Sequence, residues 1–454
     1  MLRRTFFPLA LALPLLLSGA SPAQTLVVPL EFQRQPDRMD ASEYWPNGSA
    51  YTGLGAEPLE GEFTLPAFTG RRPLFGSVRL GETEFKVAVD VQAENDRFPN
   101  RIFFDRNHNR DLTDDPVLDG KATFSRDDDY CTVSFATHPD ILFERNGCVF
   151  PYTLEFLLSG SSLKDPDLAQ AEDRLSRQVS FRVRSRCAYA GFFDLAGETY
   201  SVVLGDRNCD GSFADSASVN SYALLSSGRR EFYARGDSFC LMQGDRPSRD
   251  DEFLLGDHLL IGESLFEVAI DTFADTLTLT PVIAGRLPLK LAQAPERMLL
   301  QNEKSEHCVM MFRPGTVARI PAGSFRLLNY QLLRTGADGD LWLLGANGTS
   351  VSPRVTLAEG QAEETLQFGE PFTYYATVAD NSIKRYRENR ERGVRIGFEI
   401  EGQGRESVSA LALLSGTPRA VELSQENTTR PLEPKYTIVK ATGEKAKSGS
   451  FEYG

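Results

Sequence analysis

The chain has little of what catalysis usually draws on. Its 454 residues hold two tryptophans, four histidines and six cysteines. No Cys-x-x-Cys or His-Glu-x-x-His spacing occurs, so a zinc site of ordinary form is missing. A Gly-x-Ser-x-Gly elbow, a phosphate-binding loop and a dinucleotide fingerprint are missing too. The histidines are scattered at His108, His138, His258 and His307, and His307-Cys308 reads as a surface imidazole beside a disulfide cysteine rather than a catalytic couple. Asp271-Thr272-Phe273 lacks the glycine of an aspartic-protease signature. Trp45 and Trp342 are few for a sugar-binding platform and read as core. Paired carboxylates of the glycosidase kind are set by spatial rather than sequence spacing, and 63 acidic residues leave that chemistry open.

Three further absences narrow the class. There is no dense basic block, only a mixed run from Lys384 to Arg392, and net charge is -14. This argues against nucleic acid as a partner, because phosphate binding needs a basic face. Beyond the first residues no apolar run approaches the roughly 20 residues a membrane span requires, so no transmembrane segment is expected. Long 3.6-residue periodicity is scarce, with short helices expected only at Asp165 to Leu175 and Ser382 to Glu391. A hydrophobic fraction of 41% still suffices for sizeable cores. The pattern predicts an all-β, multidomain chain.

The N-terminus has the order of a secretory signal. Arg3 and Arg4 precede the apolar run Phe6 to Leu17, and Ser21-Pro22-Ala23 supplies small residues for cleavage before Gln24. Export to the periplasm, cell surface or medium is expected. In an oxidising compartment the even set Cys131, Cys148, Cys187, Cys209, Cys240 and Cys308 suggests disulfides. Pairing stays open; Cys131 with Cys148 and Cys187 with Cys209 are two candidates.

Two stretches carry the chemistry that is present. Asp105-Arg106-Asn107-His108-Asn109-Arg110-Asp111-Leu112-Thr113-Asp114 and Asp206-Arg207-Asn208-Cys209-Asp210-Gly211-Ser212-Phe213-Ala214-Asp215 share Asp, Arg and Asn at their first three places. They also share a carboxylate or amide at the fifth place, an apolar residue at the eighth and Asp at the tenth. Alternate oxygen-bearing side chains suit a chain curling around a hard cation such as Ca2+. The candidate ligands are Asp105, Asn107, Asn109, Asp111 and Asp114 in the first loop. In the second they are Asp206, Asn208, Asp210, Ser212 through its carbonyl, and Asp215. Neither loop has the twelfth-place Glu of an EF-hand, where Pro116 and Ala217 stand instead. The second loop fits better, because Gly211 suits the left-handed sixth place that Arg110 occupies at a steric cost in the first. His108 and Cys209 face outward in this reading and are not ligands. A metal-free Asx-turn is the competing interpretation of both loops.

Around these loops the strand pattern repeats. Gly81 to Asp90, Gly197 to Asp206 and Gly262 to Asp271 are three versions of one hairpin, the third with its loop reduced to Asp271 and Asp275. The expected organisation is a signal peptide at 1–23 and an irregular N-terminal segment at 24–75. Repeated β units carrying the calcium-type loops follow at 76–285, then a β-sandwich-like domain at 286–364 and an immunoglobulin-like domain at 365–454. With the two loops, the Gly-Glu-Thr hairpins, Gly369-Glu370-Pro371-Phe372 and Phe451-Glu452-Tyr453-Gly454, the chain resembles uncharacterised exported multidomain β-proteins of environmental bacteria that carry DxNxDG-type calcium loops. The expectation is a non-enzymatic calcium-binding protein of structural or interaction role, with a protein or polysaccharide partner at the cell envelope. A secreted hydrolase acting on polysaccharide is the alternative. A concave cluster of carboxylates with raised pKa would favour that alternative.

Overall fold

A computed structural model describes residues 24–36, 45–46, 48–70, 73–81, 83–94, 96–125, 130–145, 148–161, 179–225, 228–243, 252–272, 274–336, 339–361, 363–378, 383–384, 387–388, 396–415, 433 and 435–450. The expected leader at 1–23, the helix from Asp165 to Leu175 and the final strand Phe451 to Tyr453 lie outside the described residues. The fold is all-β and built of several sheets. Among the described residues, helical backbone is confined to Ile383, Lys384 and Arg387, inside the Ser382 to Glu391 insertion. No helix among them is long and apolar enough to cross a membrane.

Period-two burial explains the strands. In Val179–Ser185 the side chains of Val179, Phe181 and Val183 are buried while Ser180, Arg182 and Arg184 alternate at the half-exposed face. Three sheets dominate. A nine-stranded sheet runs from Ser49–Gly53 through Val179–Ser185, Cys148–Ser161, Tyr130–Phe135, Leu118–Phe124, Arg101–Phe104 and Thr83–Asp90 to Leu74–Leu80. A five-stranded sheet centres on Cys187–Leu195, Glu198–Gly205 and Ser238–Gln243. A 12-stranded sheet begins at Leu26–Pro29 and Thr276–Pro281 and ends at Thr373–Val378.

The three repeated hairpins are all present and antiparallel, closing at Leu80 opposite Thr83, Leu195 opposite Glu198 and Ile261 opposite Ser264. The second turns on Ala196-Gly197, one residue earlier than its alignment with Gly81-Glu82 implies. Both of its turn residues have positive φ, 55° and 87°, as a two-residue hairpin loop requires. The third hairpin returns directly, Asp271 opposite Thr276, and Asp271 Oδ1 caps the turn by accepting from the Ala274 N–H at 3.0 Å.

One core joins these units. Phe85, Phe104, Phe156 and Phe181 of the nine-stranded sheet cluster with Val202, Leu204 and Phe239 of the five-stranded sheet and Leu277, Leu279 and Met310 of the 12-stranded sheet. Each of those four phenylalanines is at most 2% exposed, and burying one contributes roughly 1.5–3 kcal/mol relative to leaving it in water. The segment 24–75 reads as irregular, yet it supplies one strand to each large sheet: Leu26–Pro29, Glu31–Arg34 and Ser49–Gly53. Strands of four or five residues are too short for an alternation that sequence can reveal.

Two expectations change. Among the described residues no disulfide is seen: Cys131, Cys187, Cys209 and Cys308 are free, buried thiols and Cys240 is buried, while the side chain of Cys148 lies outside the description. Cys187 and Cys209, one of the candidate pairs, donate separately to the carbonyls of Thr153 and Val183, each at 3.9 Å. Enclosed in apolar surroundings, these cysteines act as small hydrophobes, and burial pushes the Cys131 and Cys187 thiols up to about 11. An immunoglobulin-like unit at 365–454 is not confirmed either. Ser407–Ser415 pairs with Leu341–Asn347, so the strands after Gly369 continue the 12-stranded sheet, and Lys435–Val439 with Lys445–Ser450 makes a separate hairpin. Turn spacing reports how many strands there are but not which strands they pair with.

Candidate metal centre

Both loops leave the end of a buried strand. The first follows Arg101–Phe104 and the second follows Glu198–Gly205. Apolar strand residues carry the chain into the core, so the first-place carboxylates Asp105 and Asp206 arrive nearly or fully buried, at 2% and 0% exposure. Burial pushes both above the usual carboxylate range, while donated backbone N–H groups oppose the shift.

From there the two loops follow the same path. Their fourth and sixth residues take left-handed φ: His108 59° and Arg110 67° in the first loop, Cys209 58° and Gly211 76° in the second. Arg110 thus makes the turn that its side chain disfavours, which removes the conformational objection to the first loop. The first-place Asp accepts from the sixth-place N–H, Arg110 to Asp105 Oδ2 at 3.3 Å and Gly211 to Asp206 Oδ2 at 2.7 Å. The third-place Asn accepts from the fifth-place N–H, at 3.0 Å for Asn107 and 3.2 Å for Asn208. The fifth-place oxygen accepts from the seventh-place N–H, at 2.8 Å for Asn109 and 2.7 Å for Asp210. The seventh-place side chain accepts in turn from the ninth-place N–H, at 2.8 Å for Asp111 and 3.2 Å for Ser212. Leu112 and Phe213, at the eighth place, anchor each loop in the core at 0% and 2% exposure.

The tenth-place carboxylates close the ring. Asp114 Oδ2 accepts from the amides of Asn107 at 3.3 Å and Asn109 at 2.6 Å. In the second loop the Asn208 amide donates to both Asp210 Oδ2 at 3.0 Å and Asp215 Oδ2 at 2.9 Å, so two carboxylates converge on one partial positive charge. All ten candidate residues therefore sit in two loops with matching hydrogen-bond ladders. Among the described residues, no three His, Cys, Asp or Glu side chains group to hold a metal by themselves. A hard cation in either loop would have to take amide and backbone oxygens beside the carboxylates. Asp105 Oδ1 is an additional sign of fit. It is buried and accepts no hydrogen bond of ordinary geometry, which is costly for a carboxylate unless something positive faces it. His108 and Cys209 point away, the imidazole lying on the Phe85 ring at 4.2 Å and the thiol turned to Val183.

Three residues outside the sequence reading complete the picture. Asp115 accepts from the Arg106 N–H at 2.9 Å and pairs with the Arg106 guanidinium at 3.2 Å. Asp237 does the same work for the second loop, accepting from the Arg207 N–H at 3.0 Å and the Asp215 N–H at 2.9 Å. The Tyr152 hydroxyl donates to Asp206 Oδ2 at 2.6 Å, with both groups fully enclosed. The acidic doublet Asp114-Asp115 gave a local hint of the first; nothing local marks the other two. Asp206, Asp210 and Asp237 all have raised pKa, chiefly through burial. They do not form a glycosidase-like cleft, because Asp206 and Asp237 are at most 1% exposed and their oxygens are committed to N–H and O–H donors. The chain matches no family profile, no curated protein and no solved structure.

Proposed function

We propose that this is an exported, non-enzymatic β-protein that binds Ca2+ through its Asp/Asn loops, with a structural or interaction role at the cell envelope. The observation that carries the reading is the twice-built loop skeleton, with the unpartnered, buried Asp105 Oδ1 inside one copy. Asp105, Asn107, Asn109 and Asp114, with the Asp111 carbonyl, are the first loop's ligands. Asp206, Asn208, Asp210 and Asp215, with the Ser212 carbonyl, are the second's. Water completes a shell that takes six to eight oxygens in proteins generally. The cation neutralises a ring of converging oxygens and ties the loops to the strands that launch them.

The affinity expected is that of extracellular modules, roughly 10⁻⁴ to 10⁻³ M. Because only the folded chain has the site, calcium at ten times Kd adds about 1.4 kcal/mol of stability. A thermal melt in calcium, compared with melts in magnesium and in chelator, tests this. A rise specific to calcium is expected, and identical melting in all three refutes the reading. Mass spectrometry of the exported protein tests the compartment: its N-terminus is expected at Gln24, and a retained Met1 argues against cleavage.

A further inference from the structure

We infer that the two loops are unequal, that the first is the tighter calcium site, and that the Tyr152 hydroxyl holds the second in reserve by standing on Asp206 where a cation's charge would act. The inference rests on the calcium reading above and deepens it.

Net charge alone ranks the loops the other way. The second has carboxylates at its first, fifth and tenth places, Asp206, Asp210 and Asp215, where the first has an amide, Asn109, at the fifth. Ligand charge is one of the quantities that sets calcium affinity. What decides the ranking is how much of that charge is still unspent. A carboxylate offers about four lone-pair sites. Asp206 has filled three of them, accepting from Tyr152 O–H and Gly211 N–H on Oδ2 and from Asp210 N–H at 3.2 Å on Oδ1. Asp105 has filled one with a bond of ordinary geometry, the Arg110 N–H at 3.3 Å, beside a weaker contact from the His108 N–H, and its Oδ1 accepts no bond of ordinary geometry. A hydroxyl pressed on a buried carboxylate at 2.6 Å is a strong, charge-assisted bond. Calcium entering the second loop must compete with it for electron density on the same group.

Access points the same way. At places three to six, Asn107, His108, Asn109 and Arg110 are all exposed, whereas in the second loop Asn208 is exposed, Asp210 half-buried, and Cys209 and Gly211 buried. The first loop can exchange an ion with solvent as it stands. The second is more enclosed, held by Tyr152, Asp237 and the Ser49 N–H that donates to the Arg207 carbonyl at 2.9 Å.

Calcium titration calorimetry of the full mature chain separates the sites, using wild type, Asp105→Asn, Asp210→Asn and Tyr152→Phe, with magnesium as the control ion. Phe keeps the volume and apolar contacts of Tyr152, so the loop stays folded. The cysteine thiols report this, since Cys209 must remain unreactive toward a thiol reagent. The wild type is expected to bind in a tighter and a weaker step. Asp105→Asn abolishes the tighter step and Asp210→Asn the weaker. Tyr152→Phe leaves the tighter step in place and strengthens the weaker one about tenfold or more, the worth of one hydrogen bond to a charged group. Loss of the tighter step in Asp210→Asn, or two unchanged steps in Tyr152→Phe, overturns the inference while leaving calcium binding intact. Absence of calcium binding in both wild type and Tyr152→Phe overturns the calcium reading itself.

Discussion

The two loops share a sequence pattern, a backbone path and a hydrogen-bond ladder, yet they stand in different surroundings. The first lies at the surface and is clamped by its own chain, Asp115 reaching back nine residues to Arg106. The second is more enclosed, though Arg207 and Asn208 stay exposed, and it is clamped from afar, by Asp237 across 30 residues and Tyr152 across 54. Similar local sequence thus yields a more exposed loop in one case and a more enclosed one in the other. The difference lies in what the rest of the fold brings to the first-place carboxylate.

The sharpest way to break this comparison is to remove that carboxylate from each loop without calcium. Asp206→Ala leaves the Tyr152 O–H and the Gly211 and Asp210 N–H groups without their acceptor in a dry interior. The expected cost is about 3–5 kcal/mol, as for breaking other buried charged networks. Asp105→Ala removes one long hydrogen bond along with an oxygen that had no partner, so about 1 kcal/mol or less is expected. Urea unfolding in chelator measures both, and Cys209 should become reactive only in the first variant. Equal costs would mean that the second loop is no more locked than the first.

The backbone beneath the second loop offers the next largest effect. Gly48 lies so close to Asp206 that a Cβ on it would come 1.6 Å from the Asp206 carbonyl oxygen. Backbone cannot yield as a flexible side-chain tip can, so Gly48→Ala is expected to cost about 1–3 kcal/mol, the range for overpacking. The first loop is held differently. The Thr64 N–H donates to the Arg110 carbonyl at 3.0 Å, and the Leu112 N–H donates to the Thr64 carbonyl at 3.0 Å. Those are main-chain bonds, so Thr64→Ala keeps them, and a change within ~0.5 kcal/mol is expected in the same assay. A large loss there and none at Gly48 would reverse the assignment of which loop is the more tightly held.

These contrasts also mark how far the sequence could be read. Alternating oxygens in Asp105 to Asp114 and Asp206 to Asp215 were legible because a loop's ligands are local, and so were the hairpins, where a two-residue turn and a period of two leave a signature. What stands on Asp206 was not legible, because Tyr152 and Asp237 arrive through sheet pairing at long sequence distance. The thiol state of the cysteines was hidden for the same reason: an even count says nothing about whether two sulfur atoms meet. The strands after Gly369 were visible one by one, but their partner, Leu341–Asn347, was not.

The smallest effect is the most direct probe of how alike the loops are. At the sixth place both chains take left-handed φ, 67° for Arg110 and 76° for Gly211. A residue with a Cβ pays about 1–2 kcal/mol for that conformation, and glycine escapes it. Glycine, however, loses more freedom on folding, by about 0.5–1 kcal/mol relative to alanine. The two terms nearly offset, so Arg110→Gly is expected to stabilise the chain by about 0.5 kcal/mol, and Gly211→Ala to destabilise it by about 0.5–1 kcal/mol. The Arg110 N–H and carbonyl keep their bonds to Asp105 and Thr64 in the first variant, so its effect should be conformational alone. Urea midpoints at equal slope give the comparison. Opposite signs support one backbone design used twice, whereas destabilisation by both substitutions would show that the Arg110 side chain holds the first loop in a way the second loop does not share.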